Sequence, residues 1–258
     1  ESVVILIITD FGGFFYFFYR THVILKWCAM LFLTIGSFSN MYYDILQMNS
    51  TIRCILQSIG YISVPLYTFL EVKSFYYTEH RFRHLLKILW IGLLSEIPFS
   101  MMMTGNPLNT QIHNACLTAF LGFVCLWICD RDFGTVFRCV TTNRKFLNFT
   151  DFCVKGLLTS ISAVAAHLLN SEYGLYAIPM LMIMNGAERS RNKKTVQATA
   201  VLIWCVLQIL GRNFTALSVI LALPLIYGLQ DRKSVCYFYP LHLVIMAVAK
   251  FIAIIRTI

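Results

Sequence analysis

An all-α, polytopic transmembrane helical bundle of about ten spans is the fold class this 258-residue sequence predicts. Three observations carry it. Hydrophobic residues make up 58% of the chain and charged ones only 13%, against the roughly 25% charge of an ordinary soluble domain. Apolar stretches of span length recur from one end to the other, and basic residues gather at alternate connections between them.

A span needs about 17–25 mostly apolar residues, fewer where its helix is short or broken. The first predicted span, 2–19, holds Asp10 in ITDFGGF, where the glycines allow close helix approach. The second is 27–43, and the third, 54–72, contains Pro65. The fourth, 86–103, carries Glu96 in LLSEIPF, and the fifth runs over 111–129. A long polar loop, about 130–151, precedes the sixth span at 152–169. The seventh, 173–187, holds Pro179; the eighth is 196–210; the ninth, 214–229, holds Pro224; the tenth is 235–255. Pro65, Pro179 and Pro224 each predict a kink or a re-entrant segment. No repeat, low-complexity tract or linker divides the chain, so residues 1–258 read as a single integral membrane domain. The sequence begins at Glu1, a few residues are expected ahead of it, and no cleavable signal stands out.

Alternating the loops places 17 of the 21 Lys and Arg residues on one side, leaving Arg53, Arg212, Lys250 and Arg256 on the other. By the positive-inside rule the basic side is cytoplasmic and both termini lie outside. The formal charge of +9 thus reports basic loops against a lipid bilayer, with no nucleic acid implied. The nine cysteines lack a paired metal-ligand pattern and read as buried free thiols. A Walker glycine loop, a dinucleotide fingerprint, HExxH and GxSxG are all missing from the sequence, so ATP hydrolysis and zinc proteolysis gain no support.

Polar groups inside apolar segments are the candidate site residues, because an unpaired carboxylate there costs about 2.5–3.5 kcal/mol on insertion scales. Glu71 falls at the cytoplasmic end of the third span. Glu96 lies nine residues past Lys87, about 14 Å deeper and too deep to snorkel. A water-lined interior shared with Glu71, or an ion pair with Arg53, would accommodate it; a purely structural pair is the alternative. His167, Asn114, Thr118, Tyr173 and His242 add polar groups to other spans. KSFYYTEHRFRHLLK is the densest basic stretch, with Lys73, His80, Arg81, Arg83 and Lys87. It suits lipid phosphates or the phosphates of an anionic cofactor such as coenzyme A. His80 and His84 have i,i+4 spacing, but the flanking arginines favour a solvated or anion-binding loop over a metal site.

From about Leu25 onward the order of short motifs resembles the TraX family of polytopic membrane proteins, named for the pilin N-acetylase of conjugative plasmids. The motifs are LKWCAMLFLTIG, IGYISVPLYTFLEVKSFYYTEHRFRHLLKIL, SEIPF, HNACLTAFLG, EYGLYAI and YPLHL. The resemblance implies a distant kinship with multi-spanning membrane acyltransferases. It also implies an acetyl-CoA or other acyl-CoA donor and a location in the bacterial cytoplasmic (inner) membrane. One departure stands out: the family's Asp-His pair is replaced by Leu33 and Thr34, and a threonine hydroxyl is not basic near neutral pH.

Three functions follow as expectations. The first is an acyl (acetyl) transferase acting on a pilin-like peptide amine or an envelope glycan hydroxyl. Glu96, Glu71, His242 and His167 would be its catalytic candidates. Lys73, His80, Arg81, Arg83 and Lys87 would hold the coenzyme, and Arg53, Asn114 and Tyr173 the substrate. The second is a catalytically inactive binding or assembly subunit that recognises a partner membrane protein. The third, a transporter, fits buried acids but not the lack of visible inverted repeats.

Overall fold

The structure, a computed structural model, describes residues 23–42, 49–104, 113–133, 143–171, 173–210 and 214–229. These residues form α1 (Val23–Tyr42), α2 (Ser50–Tyr61), α3 (Ser63–Tyr77), α4 (Arg81–Thr104) and α5 (Ala115–Cys129). After them come α6 (Arg144–Leu168), α7 (Gly174–Arg189), α8 (Lys193–Leu210), a 3₁₀ segment at Phe214–Leu221, and α9 (Ala222–Leu229). Helices therefore occupy the second to the ninth predicted segments. The first and tenth, with Asp10 and His242, lie outside the described residues.

Three asparagines start helices. Asn49, Asn114 and Asn143 each accept a hydrogen bond from the backbone N–H two residues on, at 3.0, 2.9 and 3.1 Å, satisfying a donor that the first turn leaves orphaned. Asn143 explains why α6 begins at Arg144, inside the expected loop. Further along α6, Lys155 pairs with Asp151 at 2.7 Å, an i,i+4 contact on one helix face. The third span is a broken helix, turning at Ile62 between α2 and α3. Pro65 at the third residue of α3 fits there, since first-turn N–H groups have no intrahelical acceptor.

Helix α3 is the innermost. Pro65, Leu66, Thr68, Phe69, Val72 and Phe75 are all buried, and Leu66, Phe69, Val72 and Phe75 pack with Phe123, Leu126, Met180, Leu181, Met184 and Trp204 in one core. Helices α1 and α2 cross with their backbones in contact: a Cβ on Gly36 would lie 2.8 Å from the Gly60 Cα. Only glycine at both positions permits that approach. Helix α6 packs against α5 and α7 and leaves Phe149, Phe152, Leu157, Ile161 and Leu168 exposed. Trp90, Leu93, Leu94 and Ile97 are exposed on α4. An apolar exterior on this scale is foreign to water-soluble monomers. Ser50–Tyr77, Arg81–Met101, Arg144–Leu168 and Lys193–Leu210 are long and apolar enough to cross a membrane, and shorter apolar helices accompany them. Of the cysteines described, Cys125, Cys129 and Cys205 are buried as expected, whereas Cys54 and Cys153 are exposed.

Candidate functional site

Two polar layers lie at opposite ends of the bundle. Arg81 opens α4 and Glu96 comes fifteen residues later, about 22 Å along the axis.

At the basic end, acids claim Lys73 and Arg81, two of the five residues that the sequence offers to a coenzyme. Lys73 pairs with Glu188 at 2.8 Å, each side chain only 10% exposed, and Lys193 reaches the other Glu188 oxygen at 3.1 Å. Burial acts to raise the Glu188 carboxyl, yet hydrogen bonds from the two lysines outweigh it and hold it below the usual glutamate range. Arg81 and Arg189 grip the two oxygens of Asp130 at 2.7 and 2.6 Å. Arg189 also donates to the Tyr76 hydroxyl, which donates to Asn185 at 2.8 Å. His84 is buried and hydrogen-bonded to Ser74 at 2.7 Å, so it does not join the exposed His80 in a metal pair. His80 and Arg83 remain exposed and Lys87 is half-buried.

Glu71 stands one layer deeper. Its Oε1 is sealed from solvent and lacks a hydrogen-bond partner among the described residues. The side chain packs on Gly122, where an added Cβ would come within 3.0 Å of Oε1 and 2.8 Å of Leu181 Cδ2. Eight residues of α5 separate Gly122 from Asn114, which touches Glu96. The two glutamates therefore sit about 12 Å apart along the helix axis, at separate levels instead of in one shared hollow.

The other end gathers the sequence motifs. The partner that the structure gives Glu96 is His113, where the sequence suggested Arg53: His113 Nδ1 lies 2.9 Å from Glu96 Oε1. Glu96 Oε2 accepts the backbone N–H of Asn114 at 3.3 Å, so the carboxylate also neutralises the positive N-terminus of α5. Asn114 is spent on structure. Its Nδ2 donates to the Gly92 carbonyl at 2.8 Å and to Ser95 Oγ at 3.0 Å, and its Oδ1 caps α5. The His113 N–H donates to the Asn170 carbonyl at 3.1 Å, and Thr118 donates to Ser171 at 3.0 Å. The loop between α6 and α7 is thereby clamped onto α5.

Tyr173 begins α7 with φ 61°, a left-handed conformation rare for a bulky residue and found where surroundings over-determine the backbone. Its ring meets Tyr61 edge-on at 6.0 Å, and Tyr61 in turn packs on Trp204. IGY, SEIPF, HNAC and the segment around Tyr173 thus converge. Glu96 and His113 are 27% and 28% exposed at this junction.

His167 is exposed on the last turns of α6. Arg53 is half-buried on α2. Thr34 turns its hydroxyl back to the Met30 carbonyl at 2.8 Å, while Leu33 is buried; neither supplies a base. His113 is the group that reading by residue type passed over. The available signal was its place in HNAC, beside the asparagine that caps an apolar helix.

The described residues hold no cluster of three or more potential metal ligands. The chemistry on offer is that of a carboxylate–imidazole pair. A family model described as "TraX protein" matches residues 21–250. Neither the curated proteins nor the solved structures give a significant match.

Proposed function

The chain belongs to the TraX family, and from that premise we propose that it is a membrane-embedded acyltransferase with its acceptor site at the Glu96 junction. The reading has an acyl, most simply acetyl, group pass from cytoplasmic acyl-CoA to a peptide amine of the pilin type or to an envelope glycan hydroxyl. It also takes the protein as a ten-span bundle of the bacterial inner membrane with both termini outside. The observation that supports it is the partly exposed Glu96–His113 pair, which joins SEIPF to HNAC. A carboxylate–imidazole pair can handle the proton that acyl transfer releases. Coenzyme phosphates would meet the exposed His80 and Arg83, since Lys73 and Arg81 already serve acids.

The test uses the full chain in lipid nanodiscs with labelled acetyl-CoA and a peptide bearing a free N-terminal amine. Label should move to the peptide, and Glu96→Gln should slow it by about tenfold or more. Absence of both coenzyme binding and transfer would contradict the proposal.

A second reading, a non-catalytic assembly subunit, is favoured by one feature: Thr34 bonds its own helix where the family places an acid and a base. A stable membrane partner that co-purifies equally with wild type and Glu96→Gln, without transfer, would establish it.

A further inference from the structure

We propose that His113 is the general base of this protein and that Glu96 is its positioning residue, an assignment that rests on the acyltransferase reading above. A carboxylate can only accept hydrogen bonds, so the 2.9 Å contact places a proton on Nδ1. The ring then carries its lone pair on Nε2. Two independent tethers fix that direction. The His113 backbone is held by the Asn170 carbonyl, and the side chain by a glutamate whose other oxygen is occupied by the N–H of Asn114. Asn114 is itself locked by Gly92 and Ser95. A group this constrained yet 28% exposed has the rigid support that proton transfer in a fixed geometry requires.

The other imidazoles described here are placed differently. His84 is buried with its Nε2 on Ser74, while His80 and His167 are exposed. His113 thus supplies, from just ahead of α5, the base that position 34 on α1 lacks.

The step balances as follows. The acceptor nitrogen attacks the thioester carbonyl carbon, and Nε2 of His113 takes the proton that the nitrogen sheds. The tetrahedral centre collapses, the carbon–sulfur bond breaks, and the departing thiolate takes the proton from the imidazolium. An amide and a free coenzyme thiol result. With a hydroxyl acceptor the same sequence gives an ester.

The experiment compares wild type, His113→Ala and Glu96→Gln in nanodiscs, with labelled acetyl-CoA and the amine peptide. His113→Ala should lose on the order of 100-fold or more in rate, and added imidazole should restore a measurable part of it. Glu96→Gln should show the smaller, roughly tenfold loss expected when a base keeps its place but loses its orientation, without imidazole rescue. In parallel, diethyl pyrocarbonate should modify His113 of the wild-type protein while the buried His84 is spared.

A wild-type rate in His113→Ala would overturn the assignment alone. So would a His113 that resists the reagent while His167 is modified. A wild type that transfers no label would overturn the acyltransferase reading and this assignment with it.

Discussion

At the scale of single residues, the buried polar atoms separate structure from chemistry. Glu71 Oε1 is sealed with no hydrogen-bond partner among the described residues, and such a group costs about 1–3 kcal/mol. Glu71→Met should therefore leave the folded chain as stable as wild type or more so, read as an equal or higher Tm in detergent; a fall of several degrees would show that the carboxyl is a structural tie. Gly122→Ala should act oppositely, since its methyl would meet Glu71 and Leu181 within 3.0 Å, an overpacking worth roughly 1–3 kcal/mol. The sequence announced Glu71 and Glu96 because acids inside apolar runs are conspicuous. It did not announce their partners. His113 looks unremarkable in HNAC until the fold brings it beside SEIPF, seventeen residues away along the chain.

At the scale of elements, helix order and approximate limits were legible because apolar length and positive-inside bias survive small errors of boundary. The early starts of α4 and α6 were not, because their first turns are amphipathic and polar enough to read as loop. The glycines singled out for close approach lie in the first predicted span, outside the described residues, whereas the approach visible here is made by Gly36 and Gly60. Gly36→Ala should push α1 off α2 and lower stability by about 1–3 kcal/mol, seen as a lower Tm. An unchanged value would mean the two helices do not meet there. A second test concerns the bond between α3 and α7. Glu188 is held below the ordinary glutamate range by Lys73 and Lys193, so its stabilisation is present above that range and fades as pH falls through its lowered value. Glu188→Gln leaves the nearly buried Lys73 unpaired, a loss on the order of 3 kcal/mol, and should flatten the acid limb of the Tm–pH curve. A mutant curve parallel to that of wild type would remove Glu188 from the account.

At the scale of the whole molecule, the bundle separates two jobs by about 22 Å of helix. One end is a lattice of ion pairs around Asp130 and Glu188, with His80 and Arg83 still exposed. The other end holds the Glu96–His113 pair. Composition made the membrane class plain, and short motifs made the family plain, but neither disclosed this separation, which arises only when α4 and α5 pack antiparallel. The most direct measurement encloses labelled acetyl-CoA in proteoliposomes of uniformly oriented protein, on the side of the basic loops, and supplies the amine peptide on the opposite side only. The account predicts that label reaches the external peptide and that His113→Ala stops it. Label confined to peptide enclosed with the coenzyme, with the external peptide unlabelled, would contradict it.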